Sequence, residues 1–307
     1  MLLKKGDTGQ EVKELQTKLN AVVGVALVID GIFGQDTHLI VCRFQADNNL
    51  TVDGIVGDKT NTALNEQYNQ INDGYPLLTF GANRFVVFVD AGHGGIDDQG
   101  QYVTSGKRAH HNGVELHRAG NYYEGYENRI VAEAYIEALT KEGINSVRVY
   151  HPVRDTSLYD RTNLINSYLK RGYYGFLLSF HSNAISSSNS PANLENTRGF
   201  SVYTTKGDTL SDKIAELHFQ HAVDTFTDWT LRTQKSQDND SDYEENFQIL
   251  RETDTPENSG RFGAILEEFG FHTSKADCLY IIGHRKERVK CAVKTAKKVK
   301  ELMTSKI

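Results

Sequence analysis

The sequence predicts an α/β fold, a mostly parallel sheet flanked by helices, preceded by a small all-α unit of three helices. Three observations lead there. Beyond residue 84, short apolar runs of strand type alternate with stretches of helical period, the pattern of crossover units in a parallel sheet. Before residue 66, a turn motif occurs twice, 23 residues apart. The chain has 307 residues, 38% hydrophobic and 24% charged, which is ordinary globular composition and enough length for two domains.

The repeat superposes Ile29-Asp30-Gly31-Ile32-Phe33-Gly34 with Thr37 onto Val52-Asp53-Gly54-Ile55-Val56-Gly57 with Thr60. Asp-Gly supports an Asx turn with a positive φ, the apolar pair is expected to plug a core, and a helix is expected to start near the threonine. Val12, Leu15 and Leu19 fall at i, i+3 and i+7, one face of a helix, and Leu39, Ile40, Val41 and Phe44 mark another. With Leu3, Gly6, Gly9, Gln16 and Gln45 added to these positions, the segment resembles the peptidoglycan-binding domain found on many cell-wall hydrolases. The resemblance implies a tether to wall glycan. Asp30, Gly31, Asp53 and Gly54 are expected to build the fold, with the sugar-binding surface nearby. The domains are placed at residues 1–66 and 84–307, joined by a polar linker at 67–83.

A net charge of -6 without a Lys/Arg cluster argues against nucleic acid as a partner. The longest apolar stretches, such as Gly175 to Phe180, are too short for membrane insertion. Three widely spaced cysteines, Cys42, Cys278 and Cys291, suit buried thiols better than a disulfide framework or a Cys-type zinc site. A monomer is expected. Met1 is followed at once by Leu-Leu-Lys-Lys-Gly-Asp, so no signal peptide is read and synthesis in the cytoplasm is expected.

The strand candidates of the second domain are Phe85 to Asp90, Ser146 to His151, Gly175 to Phe180, Gly199 to Thr204 and Gly263 to Glu268. Helical period is clear from Ile130 to Leu139, Leu158 to Leu169, Leu210 to Trp229 and Glu287 to Met303. Polar residues fall where the strands end: His93 in Gly-His-Gly-Gly, His181 in Ser-Phe-His-Ser-Asn, and Glu268 in Leu-Glu-Glu-Phe-Gly-Phe. Parallel strands put these on one edge, where α/β sheets keep their ligands. Glu127 opens the next helix, with Ile130 and Val131 placing it over the stripe that faces the sheet. Two imidazoles and a carboxylate can hold zinc and leave a position for water, while a second carboxylate moves protons.

The motifs Asp90 to Gly95, Glu127, Arg154-Asp155 with Leu158 and Arg161, Ser179 to Asn183, Arg198-Gly199 and Glu268-Phe269-Gly270-Phe271 resemble the zinc-dependent N-acetylmuramoyl-L-alanine amidases of the amidase_3 type, over roughly residues 84 to 304. The resemblance implies Zn2+ on His93, Glu127 and His181, and Glu268 as catalytic acid/base. It implies a substrate of peptidoglycan, glycan strands bearing stem peptides. Arg154, Asp155, Arg161 and Asn183 are expected to hold the fold.

The chain departs from that pattern at Ile96 to Tyr126, an insertion expected to be an exposed loop walling the cleft. Glu124, one turn before Glu127, is the alternative ligand; the register of the apolar stripe favours Glu127. Gln237 to Asn246 reads as a solvated loop. A zinc peptidase with a His-x-x-Glu pair is disfavoured by Ile96, and an iron oxygenase site by Gly95. A catalytically silent wall-binding protein is the rival from another class. A wall-targeting module without a leader points to a phage endolysin released by a holin-type pore, with a bacterial autolysin or a delivered effector as alternatives.

Overall fold

A computed structural model describes residues 2–23, 27–48, 50–72, 84–97, 99–170, 172–233 and 240–304. The chain divides into two compact units, Met1–Phe80 and Gly81–Ile307.

The first unit holds α1 (Gln10–Val23), α2 (Gln35–Asp47) and α3 (Asp58–Asn72). Their apolar faces meet in a core of Leu3, Val12, Leu15, Leu19, Phe33, Val41, Phe44, Val56 and Leu64. Of each apolar pair in the repeated turn only the second member enters it: Phe33 and Val56 are buried, whereas Ile32 is 53% exposed. Leu39 likewise faces outward. Gly31 and Gly54 both have positive φ, which the Asp-Gly turn requires.

Each turn is locked by a buried glutamine. Gln16 donates to Asp30 Oδ1 (2.8 Å) and to the Ile32 carbonyl (3.1 Å), and accepts from Gly31 N (2.9 Å). Gln45 repeats this with Asp53 Oδ1 (2.8 Å), the Ile55 carbonyl (2.9 Å) and Gly54 N (2.8 Å). The two carboxylates are held below their usual pKa, Asp30 chiefly by Gln16 and Asp53 chiefly by the Ile55 N–H. The expected linker begins as helix, since α3 continues to Asn72; residues 73–83 lie outside the described residues.

The second unit contains, in chain order, β1 (Phe85–Ala91), β2 (Arg108–His110), β3 (Asn121–Tyr123), α4 (Glu124–Lys141), β4 (Ser146–Arg148), α5 (Leu158–Lys170) and β5 (Tyr174–Asn183). It continues with α6 (Pro191–Asn196), β6 (Phe200–Thr204), α7 (Leu210–Thr225), β7 (Tyr243–Glu244), α8 (Gln248–Arg251), β8 (Phe262–Phe271), α9 (Lys275–Gly283) and α10 (Arg285–Thr304). Six strands form one sheet in the order β4-β1-β5-β8-β6-β7. The β1–β4, β1–β5, β5–β8 and β6–β7 pairs are parallel; β6 runs antiparallel to β8. Every residue of β1 is buried, as expected of a central strand covered on both faces. On one face α4, α7 and α10 pack together over the sheet, burying Val131, Tyr135, Leu139, Ile214, Ala215, Ala292, Ala296 and Val299.

The insertion is not a plain exposed loop. Its last segment pairs with β2 as a two-stranded sheet, Tyr122 and His117 are buried, and helix begins at Glu124, so the extra chain ends at residue 123. The run expected as a solvated loop forms β7 at Tyr243–Glu244; residues 234–239 lie outside the described residues. All three cysteines are free thiols.

Replacing Gln45 with Leu would leave the buried Gly54 N–H without its acceptor and free Asp53 Oδ1 from its amide donor. The first unit is expected to lose about 2–4 kcal/mol of stability, read from denaturant unfolding, with the Gln16→Leu variant affected to a similar degree.

Candidate metal centre

The site is built where α4 meets the turn after β1. Gly125 is seated against that turn so closely that a Cβ there would lie 2.1 Å from the Gly94 carbonyl oxygen. Gly92 likewise leaves space for the His181 ring, which a Cβ would meet at 1.9 Å. His93 has φ of 65°, a left-handed conformation that non-glycine residues adopt mainly where the surroundings enforce it. The turn is held from below: Arg161 donates to Asp90 Oδ1 (2.7 Å) and to the Ala91 carbonyl (3.0 Å), and Ser179 donates to Asp90 Oδ2 (2.6 Å). Arg161 also reaches Asp155 Oδ1 at 3.2 Å.

These constraints bring three side chains from distant segments together. Glu124 Oε1 lies 3.3 Å from His93 Nε2 and 3.1 Å from His181 Nδ1, and the two imidazoles meet edge to face with centroids 5.2 Å apart. One ligand atom from each of His93, Glu124 and His181 lies within 4.8 Å of the others. The histidine side chains are 20% and 16% exposed, while Glu124 is 2% exposed, so the cluster opens to solvent on the imidazole side. Burial alone would raise the Glu124 pKa; hydrogen bonds from His181 and His93 and the nearby imidazoles hold it well below the usual range. Burial lowers His181, keeping it neutral, the state in which imidazole ligates a metal.

The donor set fits a divalent metal. Two neutral imidazoles and one carboxylate are borderline donors of the kind zinc takes in hydrolytic sites. Glu124 Oε2 is buried and makes no hydrogen bond, leaving a carboxylate with coordinating capacity unspent by the protein.

Glu127 is not in this cluster. Arg285 Nε donates to its Oε1 (2.7 Å), and His117 Nε2 lies 2.7 Å from its Oε2. Because His117 Nδ1 accepts from Tyr123 N (2.9 Å), the ring proton sits on Nε2 and points at Glu127. Burial opposes the charge, but Arg285 and His117 bring the Glu127 pKa down to about 2. Its inward register was read correctly, since it is fully buried, but one helical turn of ~5.4 Å carries it past the histidines. The expected ligand Glu127 is therefore replaced in the cluster by Glu124.

Glu268 stands opposite His181 in the β5–β8 register and opposite Ser201 in β6. His181 and Glu268 are strand residues, since β5 and β8 run on to Asn183 and Phe271. Glu268 Oε2 is shielded without a hydrogen-bond partner. Burial and the Glu124 charge push its pKa well above the carboxylate range, with Lys107 and Arg288 opposing.

The sequence reading missed a supporting layer. His272 Nδ1 lies 3.0 Å from the Ser182 carbonyl and 3.9 Å from Glu124 Oε2, and Tyr122 stacks on its ring at 5.8 Å. Arg288 of α10 donates to the His181 carbonyl (3.1 Å) and pairs with Glu267, whose other oxygen meets His218 at 2.7 Å. His272 follows β8 directly, and Arg288 is a charged residue on the mostly apolar face of α10; those were the available signals. Asn183 reaches Tyr203 Oη at 3.4 Å. The Arg154 carbonyl accepts from Arg129 (3.1 Å).

The fold resembles an N-acetylmuramoyl-L-alanine amidase from Clostridium difficile 630, with TM-score 0.51 and 24% identity over 71% of this chain and 97% of that one. It also resembles the amidase Ami1 of Mycobacterium smegmatis, with TM-score 0.50 and 16% identity over 71% and 98%. A spore cortex-lytic enzyme of Halalkalibacterium halodurans is 34% identical over 68 residues, 22% of this chain and 21% of the relative. A Kitasatospora aureofaciens protein is 39% identical over 70 residues, 22% of this chain and 59% of that one. The chain thus spans about a fifth and three fifths of those curated relatives. Residues 8–64 match the peptidoglycan-binding domain family. Residues 87–301 match the N-acetylmuramoyl-L-alanine amidase profile, and the chain belongs to that family.

Proposed function

We propose that the protein is a zinc-dependent peptidoglycan amidase that cleaves the bond between the lactyl group of N-acetylmuramic acid and L-alanine, with residues 8–64 tethering it to the wall. The single observation that carries the reading is the convergence of His93, Glu124 and His181 within 4.8 Å, beside Glu268. These three side chains would hold the ion; the pairing of Glu127 with Arg285 and His117 supports Glu124 as the carboxylate ligand in its place. A zinc ion held there would supply water of lowered pKa and positive charge near the substrate carbonyl.

The chain's own groups do the rest. Glu268 takes a proton from the attacking water as the C–O bond forms, and returns it to the alanine nitrogen as the C–N bond breaks. An environment that raises its affinity for a proton suits a group that must carry one between two atoms. The Ser182 N–H donates to Glu124 Oε1 (3.3 Å), and Arg288 anchors the His181 backbone, so the ligands stay oriented through the cycle. A phage endolysin is one role that joins a wall-binding unit to such an enzyme; a bacterial autolysin or a delivered effector is another.

Digestion of purified sacculi, analysed by mass spectrometry, should free L-alanine amino termini without new reducing sugar ends; the opposite pattern would remove the reading. Glu268→Gln should keep stoichiometric zinc and lose turnover by about 10³-fold. Glu124→Gln should lose zinc, measured by elemental analysis after dialysis.

Glu127→Gln, by contrast, should keep zinc in the folded fraction and cost about 3 kcal/mol. Since the folded pKa of Glu127 is depressed to about 2, its contribution is present above about 4.5 and disappears as pH falls toward 2. Unfolding measured across that window should show this loss in the parent protein and its absence in the variant.

A further inference from the structure

Lys107 belongs to the insertion and precedes β2. Its carbonyl accepts from Glu124 N at 3.1 Å, which fixes this point of the insertion against the first residue of α4, inside the candidate site. The segment is held on its other flank as well. The Thr104 hydroxyl accepts from Gly94 N (2.7 Å), and Tyr102 Oη accepts from Gly125 N (2.9 Å). The residue is exposed, and its positive charge is felt both by Glu268 and by His272. Lys107 makes no ion pair among the described residues. An anchored backbone thus presents an uncommitted ammonium at the rim of the site, beside Glu268 and His272, where an anionic group of a bound peptide could meet it.

In a wall stem peptide, L-alanine is followed by an acidic residue whose α-carboxyl is either free or amidated. That carboxyl lies about two residue lengths, roughly 7 Å, from the scissile nitrogen. A lysine stem spans a comparable reach, and an ammonium meeting a carboxylate gives a charge-assisted hydrogen bond with strong dependence on the anion.

We propose that Lys107 is a specificity-determining residue that binds the free α-carboxylate of the second stem-peptide residue, so that the enzyme prefers walls in which this group is not amidated. The proposal rests on the amidase reading for the identity of the substrate. It assigns the insertion a role on the peptide side of the scissile bond.

The test compares muramoyl tripeptides that differ only in whether that α-carboxyl is free or amidated, following release of L-alanine amino termini. The parent protein should show a KM about tenfold lower for the free acid. Lys107→Gln should raise KM for the acid about tenfold, leave kcat within twofold, and leave the amidated substrate unchanged, while Lys107→Arg retains the preference. Equal KM for both substrates in the parent protein would overturn the proposal, as would a loss in kcat on both substrates in Lys107→Gln, the mark of a cation acting on the oxyanion.

Calorimetric titration of the free stem tripeptides, acid and amide, reads the same preference without cleavage. If the parent protein cleaved neither substrate, the amidase reading would fall. A Lys107-dependent preference for the acid in that titration would still uphold the binding site, and its absence would reject it.

Discussion

The close seating of α4 against the turn after β1 is the contact on which the site depends. Two positions without a side chain make it: Gly125, pressed on the Gly94 carbonyl, and Gly92, pressed on the His181 ring. A helix start pushed back by a methyl group would carry Glu124 away from both imidazoles. The turn is in turn pinned by the fully buried Asp90–Arg161 pair, whose cost of desolvation is offset by hydrogen bonds to Ser179 and the Ala91 carbonyl. Rigid backbone, buried charge and ligand geometry are therefore one construction here.

Around that construction the chain has spent its insertion. Tyr122, His117 and Tyr102 fill the space behind Glu124 and at the first turn of α4, and the same segment carries Lys107 to the rim. A loop that merely walled the cleft would not bury aromatic rings or complete hydrogen bonds to the helix start. The insertion belongs to the support of the site as much as to its boundary.

Much of this was legible in residue order, and the exceptions have physical causes. Strand runs such as Phe85 to Val89 and the repeated Asp-Gly turns are local signals, and both units could be read from them. The histidines stand out because glycines or strand ends surround them. The choice between Glu124 and Glu127 was not local: both sit on the inward face of one turn, and only Arg285, 158 residues away, and His117 decide which carboxylate is neutralised. The antiparallel direction of β6 and the pairing of β2 with β3 were equally invisible, because alternation and apolarity carry no sign of strand direction or partner.

The tie from α10 to the edge that carries His181 joins segments far apart in the chain. His93, Glu124 and His181 all leave the ribosome well before Arg285 and Arg288, which brace Glu127 and the His181 carbonyl. A nascent chain therefore carries its three clustered side chains, and the Asp90–Arg161 pair that pins the turn, before it carries the helix that braces them from behind.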